Sequence, residues 1–118
     1  MFEKLADSSG NVIGYKAIGT ITASDYLKLE PEVKALVEQE GNVRMLIDLS
    51  EFKWAKMEAW LEDLKFGLEF HTKIQKMAIV GDKSWEKWIT HLAKPFYSMD
   101  AKFFHTADID KAWAWLRE

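Results

Sequence analysis

Val43-Arg44-Met45-Leu46-Ile47-Asp48-Leu49-Ser50 is a short apolar run that closes on Asp-Leu-Ser, and Glu51-Phe52-Lys53-Trp54-Ala55-Lys56-Met57-Glu58-Ala59 follows it. The run is too short to stand as a helix of its own, and its Val, Ile, Leu and Met suit a strand covered on both faces. Met77 to Val80 is a second run of the same kind, and Trp54 to Phe70 between them carries a helical pattern. A strand, a helix and a second strand make a crossover unit, which is right-handed and leaves the two strands parallel.

Working outward, Phe2 to Ala6 reads as a short first strand, and Asp7-Ser8-Ser9-Gly10-Asn11 is dense in turn residues. Val12 to Thr22 then alternates, with Ile13, Tyr15, Ala17 and Ile21 apolar, which completes a hairpin with one face buried. Ser24 is placed to cap a helix over Asp25 to Leu29. Pro31 suits the first turn of a new helix, so a kinked pair of segments is expected, ending at Glu40 with Gly41 as the stop. Ser84 caps a further helix with Trp85, Trp88, Ile89 and Leu92 on one face, halted near Pro95. Lys102-Phe103-Phe104-His105 is a last strand, and Asp108 caps a terminal helix that turns Ile109, Ala112, Trp113 and Leu116 inward. The order ββαβαβαβα predicts a single α/β domain over 1–118, with a mixed, mostly parallel sheet and an antiparallel hairpin at one side.

Composition narrows the function classes. A formal net charge of −3 over 118 residues argues against nucleic acid or an anionic membrane as the main partner. The absence of cysteine removes disulfides, thiol catalysis and thiolate metal sites, and fits a reducing cytoplasm. Met1-Phe2-Glu3-Lys4 does not open a secretory signal, and no apolar run reaches the roughly 20 residues of a membrane span.

In this order the chain resembles, nearly end to end, the SpoIIAA-like family of small bacterial STAS/SEC14-type proteins. The matching features are Ser24-Asp25-Tyr26, Leu46-Ile47-Asp48-Leu49, the segment from Trp60 to Phe70, Ile79-Val80-Gly81-Asp82-Lys83-Ser84-Trp85 and Ala112-Trp113-Ala114-Trp115-Leu116. The resemblance implies a STAS-type fold, and relatives of two kinds: protein-binding phosphoswitches and holders of hydrophobic ligands. In the anti-sigma-factor antagonists the helix after Asp-Leu-Ser opens with Asp-Ser-Ser-Gly, and one serine is the switch. Aligned on Asp48-Leu49-Ser50, that window here is Lys56-Met57-Glu58-Ala59. The Asp-Ser-Ser-Gly at 7–10 precedes a strand and reads as a turn.

Catalytic chemistry finds little support. His71, His91 and His105 fall on three different elements without metal-ligand spacing. Glu58, Glu62 and Glu69 share one helix flank beside Lys65, the pattern of a solvated face with ion pairs, and Asp63 adds a further carboxylate. Ser50 lacks a nucleophile elbow and reads as a loop or cap residue. Gly81-Asp82-Lys83-Ser84 occupies the place where α/β sheets bind anions, but lacks the spaced glycine of a phosphate loop.

The aromatic residues are the unusual feature, with six tryptophans in this short chain. Trp54 and Trp60 flank the stripe Met57-Leu61-Leu64-Leu68, expected to face inward, and opposite it lies a second stripe, Ala55-Ala59-Phe66-Phe70. The outer side of a sheet-covering helix should be polar. The second stripe is therefore either an interface, expected to form a two-fold homodimer, or a surface covered by another part of the chain. Trp54, Trp60, Trp85, Trp88 and Phe96 either pack tightly without a cavity or wall a hydrophobic pocket, with Lys53 or Lys83 at its rim for an anionic head group. The resulting expectation is a cytoplasmic, non-catalytic module that binds a protein partner, or alternatively a small hydrophobic or lipid-like ligand, without cofactor or metal. An enzyme of unknown type is the third reading.

Overall fold

Both faces of the first half of β3 (Val43–Ala55) are covered, and this strand holds the centre of a five-stranded sheet. The computed structural model describes residues 1–55, 57–70, 72–82 and 100–118, apart from the side chains at 54, 55, 57, 60, 63, 64 and 66–68. The remaining elements are β1 (Phe2–Lys4), β2 (Val12–Ile21), α1 (Ala23–Glu40), α2 (Met57–Phe70), β4 (Ile74–Gly81), β5 (Ala101–His105) and α3 (Ile109–Arg117). A 3-10 turn over Thr106–Asp108 leads into α3. The helix expected after Ser84 lies outside the described residues.

The sheet order is β1-β2-β3-β4-β5. β1 runs antiparallel to β2, and every later pairing is parallel. This is the predicted mixed α/β architecture. Period-2 alternation divides the core. Ile13, Tyr15, Val43, Met45, Met77 and Ile79 meet Leu29 and Val33 of α1 and Phe70 of α2 on one face. Val12, Leu46, Ala78 and Val80 meet Ala112, Trp113 and Leu116 of α3 on the other.

Two helix expectations are corrected. The cap of α1 is Thr22 rather than Ser24: its amide donates to Asp25 Oδ2 at 2.8 Å and its hydroxyl to the same atom at 3.0 Å. Pro31 does not split the helix, which runs unbroken through it. Losing the proline N–H and accommodating its ring costs about 3 kcal/mol in a helix interior. Leu29 and Val33, at 5% and 0% exposure on either side of Pro31, offset that cost by docking on the sheet. The stop at Gly41 is as expected, with φ of 85° and its amide donating to the Val37 carbonyl at 2.7 Å.

Helix α3 is held at its end by the sheet. Arg44 Nη1 donates to the Leu116 carbonyl at 2.6 Å, and Lys76 Nζ donates to the Trp115 carbonyl at 3.0 Å. Carbonyls of a last turn have no partner inside the helix, and cations there also complement its dipole. Gly14 sets how closely α3 approaches. A β-carbon at this position would stand 2.4 Å from Cη2 and 2.9 Å from Cζ2 of Trp113. Gly14→Ala is therefore expected to lower stability by about 1–3 kcal/mol in urea unfolding. Trp113→Leu should cost less in the Gly14→Ala background than in the wild type, because it removes the clashing ring.

On the opposite face the buried Tyr15 hydroxyl donates to Glu32 of α1, which also takes a hydrogen bond from Lys4 Nζ at 3.2 Å. Burial, reinforced by the bond to Glu32, pushes the Tyr15 hydroxyl well above its ordinary range, and the Tyr15 hydrogen bond lowers Glu32, with Lys4 adding to it. Above about pH 10 the unfolded tyrosine loses its proton while the folded one keeps it, so stability falls as pH rises. Glu32 acts in the other direction: its contribution is present above the unfolded glutamate value and is lost as pH falls through the lowered folded one. Urea midpoints measured against pH should decline at both ends. Tyr15→Phe should flatten the alkaline limb, and Glu32→Gln the acid limb.

Candidate functional site

Strand β3 does not end at Asp-Leu-Ser, as the sequence suggested, but continues to Ala55. The reason is a bulge. Lys16 pairs with Asp48 and Ile18 with Glu51, so Leu49 and Ser50 face Ala17 alone. A second shift follows, with Gly19 opposite Phe52 and Thr20 opposite Trp54, which leaves Lys53 as the extra residue. The pairing of the strand's last residues with Thr20 and Ile21 then carries it on to the start of α2.

Asp48 holds the first bulge. It is the buried charged residue among those described, at 4% exposure, and its Oδ1 accepts the Ser50 amide at 2.9 Å. That amide would otherwise lose its partner where the ladder is interrupted. Across the bulge Lys16 Nζ meets Glu51 Oε2 at 2.8 Å. The hydrogen bond to Glu51 raises the Lys16 ammonium above its ordinary value, with the nearby charges of Asp48 and Glu3 adding to it. Exposed Glu58 stands in the first turn of α2. Ser50, Glu51 and Lys53 are exposed along the bulged end of β3.

Asp48 directs an oxygen to a backbone amide rather than to the Ser50 hydroxyl. Among the described residues no group of three His, Cys, Asp or Glu side chains is arranged to hold a metal ion. On α2 Lys65 Nζ lies 3.5 Å from Oε1 of half-buried Glu62, which faces α1 more than the solvated flank expected. Glu69 forms a hydrogen bond with Glu30 of α1, which raises the Glu30 carboxyl above its usual range. Nothing in the sequence alone placed Glu30 against Glu69, because the contact depends on how α1 and α2 pack.

The expected interface stripe is corrected at its described positions. Ala59 is 0% exposed against Ala17 and Ile21, and Phe70 is 3% exposed in the main core, so neither offers a surface to a second subunit. Leu61, expected inward, is 58% exposed. Helix α2 is apolar on two sides, and periodicity does not say which side meets the sheet. The small Ala59 decides it, by allowing close approach over Ala17. The side chains of Ala55 and Phe66 lie outside the described residues.

Of the expected pocket wall, Trp54 lies on β3 and Trp60 on α2, but their side chains are also outside the description. So are Lys83, Trp85, Trp88 and Phe96 entirely. Lys53 is exposed on the second bulge. An open groove of about 260 Å³ lies instead at the other end of the sheet, between Ser9 and α1, over Val12, Ile13 and Leu36. Sequence reading missed Lys16 and Glu51 as a pair. An aspartate inside an otherwise apolar strand was the available signal for the bulge.

The bulged central strand, the crossover helices and the antiparallel hairpin define a small STAS-type α/β module. The chain matches the SpoIIAA-like family over residues 12–117 and belongs to that family. It is similar to an uncharacterised protein of the DUF3478 family with a SpoIIAA-like fold from Shewanella loihica PV-4, at 28% identity and a TM-score of 0.77. That likeness covers 98% of this chain and 90% of the other. It is also similar in fold to the anti-sigma factor antagonist SpoIIAA in its unphosphorylated form, with a TM-score of 0.67, 8% identity and coverage of 99% and 98%. No curated protein matches. Among the described residues no helix is long and apolar enough to cross a membrane.

Replacing Asp48 by alanine leaves the Ser50 amide without its acceptor, an expected loss of about 1–3 kcal/mol. Hydrogen exchange should show the Ser50 amide opening faster in Asp48→Ala, while amides of α3 change only by the global loss of stability.

Proposed function

We propose that this SpoIIAA-like chain is a cytoplasmic, non-catalytic regulatory module that binds a protein partner through the bulged end of β3 and the first turn of α2. It does so without a phosphorylatable serine at that turn. The observation that carries the reading is exposed Glu58 in the first turn of α2, at the place that the family resemblance aligns with the switch motif. A carboxylate near a helix N-terminus is favoured by the helix dipole. It supplies less charge and fewer acceptor oxygens than a phosphate, whose charge is about −1.5 to −2 at neutral pH. The surface is therefore fixed in one charge state instead of being switched between two. The carrier reading draws support from the six tryptophans alone.

Incubation with an anti-sigma kinase and ATP, followed by intact-mass analysis, should leave residues 50–60 unmodified. Stoichiometric phosphate on Ser50 overturns the unswitched reading. Cross-linking in native lysate should capture a protein partner, and the Glu51→Lys, Glu58→Lys double variant should capture at least ten-fold less. Unchanged capture rejects this surface, and acyl ligands in native mass spectra of the purified protein would replace the proposal with the carrier reading.

A further inference from the structure

A second surface lies at the far side of the sheet, where β5 is the last strand in the order. The Met77 amide donates to the Asp100 carbonyl at 2.8 Å, and Met77 is paired with Ala101. In a parallel ladder this register turns the amides and carbonyls of Ala101, Phe103 and His105 away from β4. Among the described residues no further strand receives them. Edge groups of this kind accept an added strand, and main-chain bonds then give affinity while alternate side chains give specificity.

The side chains beside this edge state what the added strand should carry. On the α3 face Lys102 Nζ lies 5.3 Å from the centre of the Phe104 ring and 5.9 Å from that of Trp115. Phe104 and Trp115 are themselves 5.8 Å apart and half-buried. Lys76 Nζ also lies 5.0 Å from the centre of the Trp115 ring. Lys76 is held by the Trp115 carbonyl, whereas Lys102 makes no ion pair among the described residues, Asp100 included. An exposed ammonium positioned by two aromatic rings keeps its charge free for an incoming carboxylate. This is a concentrated basic spot on a chain with a net charge of −3.

We propose that the outer edge of β5 is a strand-addition site for an extended acidic segment of a partner protein, with its carboxylate received by Lys102 on the Phe104–Trp115 platform. A second copy of this strand is a poor occupant, because Ala101-Lys102-Phe103-Phe104-His105 contains no carboxylate. A nucleic acid would meet the charge but leave the edge amides without a strand. The site shares no residue with the surface around Glu58, so either can fail without the other.

The test uses the whole protein and two capped seven-residue peptides, one alternating glutamate with valine and one alternating lysine with valine. The glutamate peptide should slow hydrogen exchange at the Phe103 and His105 amides, and added salt should weaken the effect. The lysine peptide should bind at least ten-fold more weakly, and Lys102→Glu should reverse the preference. Lack of protection by the glutamate peptide, or equal binding of both peptides to the wild type, overturns the proposal. Protection that appears without peptide as protein concentration rises overturns it too, in favour of self-pairing. In that case, or if Lys102 serves only to discourage edge pairing, charge reversal would change association of the protein with itself and not peptide choice.

Discussion

The parallel pairing of β2 with β3 is the constraint on which the other elements depend. It buries β3 on both sides, with Met45 1% exposed towards α1 and α2 and Leu46 0% exposed towards α3. A strand buried in this way needs helices on both faces, and crossovers between parallel neighbours supply them. The pairing is not regular throughout. Without the bulge at Leu49-Ser50, the residues beyond Asp48 would keep the alternation of the first half. With it, Glu51 comes to face Lys16, and the strand reaches α2 on a changed register. A buried carboxylate is costly unless its oxygens are partnered, so Asp48 is tolerated because a backbone amide needs it there.

The α3 face shows the same coupling between sheet and helix. Gly14 allows the Trp113 ring to lie against the backbone of β2, and Arg44 and Lys76, in register with each other on adjacent strands, close the helix at its far end. Arg117 adds a contact from the helix to the hairpin turn, with its guanidinium over Trp113 at 5.1 Å and 3.2 Å from the Ser9 hydroxyl. One face therefore uses close apolar contact and the other uses a longer helix with a polar edge at Tyr15 and Glu32. The two differ because α3 has 9 residues and α1 has 18, so α3 draws more of its fixation from strand side chains.

Element order, strand direction and the inward face of α3 were all legible in the residues, because each rests on a strong periodic pattern. Ala112, Trp113 and Leu116 had one apolar side and could face only one way. Helix α2 was misread for the opposite reason, since it offers apolar residues on two sides. Pro31 misled because its local penalty is real but smaller than the burial on either side of it. The bulge was invisible as a bulge: Asp48-Leu49-Ser50 announces a strand end by composition, while the pairing that carries the strand further lies some 30 residues away in the chain at Ile18 to Ile21. Tertiary partners decide such cases, not local propensity.

Charge is distributed unevenly over this frame. Glu51 and Glu58 stand exposed where β3 runs into α2, whereas Lys76, Lys102 and Arg44 gather where β4 and β5 meet α3. Glu51 is paired with Lys16 and Lys53 is exposed two residues further on, so the α2 end carries mixed charge, whereas Lys76 and Lys102 make the other end basic. What each end presents is set by local geometry within about a Debye length rather than by the total net charge of −3.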